Sequence, residues 1–299
     1  MASTTTAQRP LSWTVVGSGA IGSLAACRLQ LAGYRVALHL KQPRALSIDF
    51  AGRPLHFPAA TPPLNAVLIP VKSYAVVSAV QGLLPHLAAN AQLVLSHNGM
   101  GTLEQVLPLL APGQGLWFLT TTHGALKQQH TLLHTGQGQS VLAPLNHVAK
   151  AYTSWVLPAM ETALGPVTLV EDITPFLWQK LAINAAINPL TAIYNCCNGE
   201  LLQAEFTPLL MAAITEVQQV AAACGVIMNN SLLQQKVLQV VAATAENFSS
   251  MQQDITNKRR TEIEAINGYV VQQAARFGID VPHNNAMLAQ VLRLSSCYC

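Results

Sequence analysis

The stretch Trp13-Thr14-Val15-Val16-Gly17-Ser18-Gly19-Ala20-Ile21-Gly22 decides the fold. A short apolar run, Trp13–Val16, ends at a glycine, and a helical run, Ala20–Ala32, follows. The glycines recur as G-x-G-x-x-G, a dinucleotide fingerprint in the context it requires, strand before and helix after. Gly17 permits the tight turn, Gly19 lets the backbone approach a pyrophosphate, and Gly22 lets helix pack on strand. The helix N-terminus supplies free N–H groups and a positive dipole end for phosphates. Gly17, Ser18, Gly19, Ala20, Ile21 and Gly22 are therefore the candidate cofactor-binding residues. The alternative is a glycine-rich turn in an ordinary α/β domain, and the order of elements favours the nucleotide.

The second strand bears on which nucleotide. Tyr34–Leu40 reads as strand, and an NAD enzyme usually places Asp or Glu at its end, about 20 residues past the glycines. Here that place holds Lys41-Gln42-Pro43-Arg44, with no acid before Asp49. Cations without a carboxylate favour a 2′-phosphate, hence NADPH. The competing reading is a pair of solvated surface cations, the usual fate of Lys and Arg.

Composition sets the outer bounds. The chain has 299 residues, 51% hydrophobic and 10% charged, with a net charge of +3. That length allows two domains and a large buried core. The small charge, without a basic run, argues against nucleic acid. The six cysteines, Cys27, Cys196, Cys197, Cys224, Cys297 and Cys299, include no CxxC pair. They read as small buried hydrophobes in a reducing compartment, with Cys297 and Cys299 at a frayed end. Met1–Pro10 is a polar extension, expected to be disordered, and does not resemble a signal peptide. No uncharged run is long enough to span a membrane, so a cytoplasmic protein is expected.

Strands are expected at Trp13–Val16, Val36–Leu40, Ala66–Pro70, Leu93–Ser96 and Leu116–Thr120, and helices at Ala20–Ala32, Tyr74–Leu84 and Leu103–Leu110. This alternation argues a doubly wound, Rossmann-type parallel sheet. Thr131–Gly136 and Gln139–Ala143 read as a meander, and helix Ala149–Leu164 and strand Val167–Leu169 close the domain. Beyond Val170 the apolar period becomes helical throughout. Helices are expected at Pro175–Asn188, Leu201–Cys224, Ser231–Glu246 and Arg260–Phe277, with Asn230 or Ser231 capping the third and Gly278 ending the last. The fold class is thus α/β: an N-terminal Rossmann-type domain, residues 1–170, plus an all-α C-terminal domain, residues 171–299, with the active cleft between them.

Lys180, Asn184 and Asn188, spaced i, i+4, i+8, share one helix face in otherwise apolar surroundings. Burying a lysine and two amides is costly unless they face a polar cavity. Asn247, Ser250 and Asp254 share a second helical spacing, which Lys258 and Glu262 continue only if the helix is unbroken. Asp254 and Lys258 read as an ordinary ion pair, and spacing alone does not rank Ser250 or Glu262. His97-Asn98-Gly99-Met100-Gly101 follows a strand, where α/β sheets bind ligands, although Asn-Gly also makes plain turns. Lys72 ends the third strand on the side expected to face the cofactor. His130 and His134 form HxxxH, but on a strand four residues span roughly 13 Å, too far to share a metal. No metal site is expected.

Taken together, these segments resemble the ketopantoate reductase (2-dehydropantoate 2-reductase) family. The matching pieces are Gly17–Gly22, Lys72, the HNGMG segment, Thr120-Thr121-Thr122-His123, Trp178–Ile193, Asn198-Gly199-Glu200-Leu201, and Ala243–Asp254 followed by Thr261-Glu262-Ile263. The resemblance implies NADPH-dependent reduction of 2-dehydropantoate to (R)-pantoate, towards pantothenate and coenzyme A. It makes Lys180 the catalytic lysine and Glu262 its partner carboxylate. It places Asn98, Asn184, Asn188 and Ser250 on the substrate, and Lys41, Lys72 and Asn98 on the cofactor side. It also implies a monomer or homodimer acting on a small 2-oxoacid. The family often carries Arg where Lys41 stands, which weakens NADPH preference unless Arg44 compensates. The proline-rich segment between Arg44 and Leu64 looks short by one secondary element. Two alternatives stand beside this reading: a related NADPH-dependent 2-oxoacid or 3-hydroxyacid dehydrogenase, and a non-catalytic NADPH-binding regulator. The presence of both Lys180 and Glu262 argues against the regulator.

Overall fold

The computed structural model describes residues 12–296. The expectations for Met1–Pro10, Cys297 and Cys299 lie outside the described residues. The chain divides into two compact units, one of residues 12–97 and 104–173, the other of residues 98–103 and 174–296.

The first unit runs β1 (Trp13–Val16), α1 (Ala20–Leu31), β2 (Val36–His39), β3 (Leu46–Phe50), β4 (Arg53–Phe57), β5 (Leu64–Ile69), α2 (Ser73–Leu83) and β6 (Leu87–Leu95). The short α3 (Leu103–Val106) then leads to β7 (Gly115–Thr121), β8 (Gly124–Gln128), β9 (Thr131–Gly136), β10 (Ser140–Pro144), α4 (His147–Ala151), α5 (Thr153–Leu164) and β11 (Val167–Leu169). The main sheet has the order β11-β10-β7-β6-β5-β1-β2. Strands β2, β1, β5, β6 and β7 are parallel, β10 is antiparallel to β7, and β11 is parallel to β10. Parallel strands buried on both faces need continuous apolar runs. Accordingly Ala66–Ile69 and Leu93–Leu95 are fully buried. Trp117 of β7 is also fully buried, and its indole N–H donates to the Gln92 side chain of β6 at 3.0 Å, satisfying both polar groups.

Several expectations need correction. The stretch between Arg44 and Leu64, which looked short by one element, folds into the β3–β4 hairpin, turning at Ala51 and Gly52 with positive φ. No α-helix lies between β2 and β5. The hairpin joins β8 and β9 in a second sheet of order β4-β3-β9-β8. The expected meander of Thr131–Gly136 with Gln139–Ala143 does not form, because β9 pairs with β8 and β3 while β10 pairs with β7 and β11. The expected single helix Ala149–Leu164 is interrupted at Tyr152, with α4 starting earlier at an Asn146 cap whose side chain accepts from the Ala149 N–H.

The second unit is helical: α6 (Thr174–Tyr194), a 3-10 turn at Asn198–Leu202, α7 (Thr207–Ala223), α8 (Asn230–Ala243), α9 (Ser250–Thr256), α10 (Asn267–Phe277) and α11 (Pro282–Ser296). Leu181, Ala182, Ala185 and Leu190 of α6 pack with Leu210, Ile214 and Val217 of α7 and Val237 of α8 in one core. Asn229, not Asn230 or Ser231, caps α8 by accepting from the Leu232 N–H at 3.0 Å. Gly278 ends α10 in the left-handed conformation, φ +64°. The expected helix Arg260–Phe277 begins only at Asn267. The Ala265 carbonyl, which a longer helix would offer to the Tyr269 N–H, instead accepts from the Met100 N–H at 2.9 Å.

Among the described cysteines, Cys27 and Cys196 are buried, Cys197 and Cys224 are half-buried, and all four are free. Among the described residues no helix is long and apolar enough to cross a membrane, and no group of three metal-ligating side chains comes together.

Candidate active site

In the first unit the glycine loop fits a dinucleotide phosphate. Gly17 has φ +80°, a backbone that side chains resist. Gly19 is exposed, and a Cβ built there meets nothing within 4 Å, leaving room for a ligand against the backbone. A Cβ on Gly22 would come within 2.7 Å of Pro70 and 3.3 Å of Val15, so α1 can lie against the ends of β1 and β5 only with glycine there. The N-cap of α1 is Gly19 itself, without a side-chain cap. Its first-turn N–H groups are thus the kind of donors that hold phosphates. Lys41 and Arg44 are exposed just past β2, and Lys72 caps α2 just past β5. Strands β2, β1 and β5 are adjacent and parallel, so the glycine loop, Lys41 and Lys72 all leave the same carboxyl edge of the sheet.

The second unit gathers Lys180, Glu262 and Asn98. Lys180 projects from α6 with Asn184 and Asn188 one and two turns further on, as the i, i+4, i+8 spacing requires. Asn188 is buried, whereas Lys180 and Asn184 are partly exposed. Burial pulls the Lys180 ammonium down to about 8, and the negative charge of Glu262 opposes that shift. Glu262 is itself buried and accepts from the Asn98 side-chain amide at 3.2 Å.

Backbone packing explains how Asn98 reaches Glu262 across so much sequence. Gly99 has φ +78°, and a Cβ there would collide with the Ala265 carbonyl oxygen. Only glycine lets residues 98–101 lie directly on the turn 262–266, where the Met100–Ala265 hydrogen bond fixes the register.

Ser250 is exposed at the first position of α9. The preceding Ser249 caps that helix and receives a 2.7 Å hydrogen bond from the Thr191 hydroxyl of α6, one turn beyond Asn188. The segment before α9 is held by the Asn-Gly of 198–199: the Asn198 and Gly199 N–H groups donate to the carbonyls of Asn247 and Ala245, both at 2.9 Å. The unbroken helix that would be needed to carry the spacing from Asp254 on to Glu262 does not form: α9 stops at Thr256, and Lys258 has φ +53°. Buried Asp254 pairs with Arg259 at 3.2 Å, where Lys258 had been the expected partner.

Sequence reasoning missed two structural supports. Pro189, inside α6, has no N–H for the Ala185 carbonyl. The fully buried Asn267 donates its side-chain amide to that carbonyl at 3.0 Å, and to Asn284. The second is His123. Its Nε2 lies 3.1 Å from the Leu164 carbonyl oxygen, which assigns the proton to that nitrogen. Its Nδ1 then accepts from the Gly138 N–H and from Nε2 of His134, at 3.1 and 3.0 Å. His134 therefore pairs with His123, and its HxxxH spacing with His130 has no structural meaning.

A Rossmann-type unit with an open glycine loop, joined in one chain to a helical unit carrying a lysine beside a buried glutamate, defines a class: nucleotide-dependent oxidoreductases that reduce a carbonyl. Comparison with known proteins narrows it. Residues 13–147 match the ketopantoate reductase PanE/ApbA family, and residues 172–295 match the ketopantoate reductase PanE/ApbA C-terminal family. The 2-dehydropantoate 2-reductase of Vibrio cholerae is 41% identical over 95% of this chain and 98% of its own length. Two solved structures share the fold: a PanE/ApbA family ketopantoate reductase from Ralstonia eutropha (TM-score 0.84, 23% identity, 96% and 99% of the two chains) and the dimeric ketopantoate reductase of Staphylococcus aureus (TM-score 0.81, 19% identity, 97% and 100%). The chain belongs to the ketopantoate reductase family.

Proposed function

We propose that this protein reduces 2-dehydropantoate to (R)-pantoate with NADPH, the first unit serving as the NADP-binding domain and the second as the catalytic domain. The observation that carries the reading is the Lys180 ammonium beside a buried Glu262 that Asn98 holds in place. The reduced nicotinamide, when bound, supplies the hydride for C2 of the ketone. Negative charge then grows on the C2 oxygen, and a cation aimed there lowers the barrier. Lys180 is that cation, and with its affinity for the proton lowered by burial it also delivers one to the new hydroxyl. Glu262 orients Lys180 and accepts from a substrate hydroxyl. Asn184, Asn188 and Ser250 hold the carboxylate and hydroxyl groups without adding charge, and Asn98 serves both substrate and cofactor. Gly17–Gly22 hold the pyrophosphate, Lys41 the 2′-phosphate, and Lys72 the cofactor side.

The test is absorbance at the reduced-nicotinamide band with 2-dehydropantoate, comparing NADPH with NADH. Rapid oxidation of NADPH and slow oxidation of NADH is the expected result. No oxidation by a folded protein that binds NADPH overturns the reaction and leaves the cofactor. A panel of other 2-oxoacids separates this substrate from its relatives. Light scattering decides between a monomer and the homodimer that the Staphylococcus aureus relative suggests.

A further inference from the structure

Lys127, on β8 of the second sheet, belongs to none of the motifs above. Its ammonium reaches the glycine loop and donates to the Ser18 carbonyl at 3.0 Å and to the Ser23 hydroxyl at 3.4 Å. The Ser23 hydroxyl itself donates to the same Ser18 carbonyl at 3.3 Å. One peptide of the loop is thus gripped by two donors, one of them charged. We propose that Lys127 is a positioning residue for the cofactor, holding the Ser18–Gly19 peptide so that the loop presents its N–H groups to the pyrophosphate.

The geometry follows from peptide planarity. In a trans peptide C=O and N–H point in opposite directions. Drawing the Ser18 oxygen towards Lys127 therefore turns the Gly19 N–H away from it. Gly19 is where the backbone is exposed and where a side chain would meet no atom.

Charge points the same way. A cation beside the first turn of a helix has the wrong sign for the helix alone, since that end is already positive. The first turn of α1 holds no acidic residue. Among the described residues Lys127 makes no ion pair. Its neighbour Cys27 is pushed up to about 12 by burial, so the thiol stays neutral and offers no compensation. Burial also lowers the lysine's own proton affinity, a cost that a bound anion relieves. The arrangement is unfavourable for an empty loop and favourable for one filled by a pyrophosphate.

This inference rests on the cofactor assignment above, and its test is direct binding rather than turnover. Three variants, Lys127→Met, Lys127→Gln and Lys127→Arg, are titrated with NADPH by fluorescence, and with adenosine 2′-monophosphate, which carries the 2′-phosphate but no pyrophosphate. Loss of a charged hydrogen bond predicts an NADPH Kd raised about tenfold or more in Lys127→Met. Lys127→Arg restores affinity to within about threefold, and adenosine 2′-monophosphate binding stays unchanged in all three variants. If Lys127→Met does not fold, Lys127→Gln carries the same test. An unchanged NADPH Kd, or equal losses for both ligands, overturns the proposal and leaves Lys127 as a tie between β8 and α1. A wild-type chain that binds NADPH but leaves 2-dehydropantoate unreduced overturns the reaction and not this role. A wild-type chain that fails to bind NADPH overturns both.

Discussion

At Lys180 burial and a neighbouring charge pull in opposite directions, and burial prevails. The ammonium releases its proton near pH 8 instead of in the usual lysine range, which suits a proton donor working near neutrality. Because the donor must be protonated, kcat is expected to be constant below that value and to fall as pH rises through about 8. Glu262 favours the charged lysine, so Glu262→Gln moves the falling limb of the kcat–pH profile to lower pH. Lys180→Ala removes both cation and proton donor and lowers kcat by about 10²–10⁴-fold, with NADPH binding retained. A pH–kcat profile beside an NADPH titration checks all three outcomes. Lys41 is exposed, so its charge is screened and its contribution is modest. Lys41→Ala is expected to raise the NADPH KM about tenfold and leave the NADH KM unchanged, whereas Lys41→Arg lowers the NADPH KM by adding a planar fork. The Lys180 face was legible in the sequence because a helical period is a local property. Glu262 was reached only through the family resemblance and not through spacing, because α9 ends at Thr256 and the backbone at Lys258 destroys the helical phase before residue 262.

Helix α6 shows how an element depends on residues far from it. A proline inside a helix removes one hydrogen bond and crowds the carbonyl four residues back, and the expected helix Pro175–Asn188 stops just short of Pro189. The helix instead runs to Tyr194, because Asn267, 82 residues from Ala185, takes the carbonyl that Pro189 abandons. Asn284 continues the network to α7. Its side-chain amide donates to the carboxylate of Glu216, and that carboxylate also accepts from the His283 and Asn284 N–H groups at the start of α11. A carboxylate there answers both the free N–H groups and the positive helix end. Asn267→Leu leaves the Ala185 carbonyl buried without a donor, and is expected to cost about 1–3 kcal/mol of stability. Urea unfolding measures that loss. A wild-type midpoint in the variant would show that Asn267 does not stabilise α6.

At the scale of the molecule the described residues build two hydrophobic cores, one in each unit. A ligand stabilises only the state that binds it. NADPH at a hundred times its Kd is expected to add about 2.7 kcal/mol to the first unit. Calorimetry with and without NADPH should show the transition of that unit rising, while the Gly19→Val variant, which fills the loop, removes the shift. The strand–helix alternation of the first unit, the glycine loop, the missing acid after β2, and the shared face of Lys180, Asn184 and Asn188 were all determined by the sequence alone. Each is a short-range pattern of apolar period, turn chemistry or charge, carried by neighbouring residues. The pairing of β3 with β9, the placing of β10 in the main sheet, the grip of Lys127 on Ser18, the repair at Pro189 and the meeting of Asn98 with Glu262 were decided only by the tertiary structure. Such contacts join residues far apart in the chain, and no local period records which distant donor meets which acceptor once the backbone has packed.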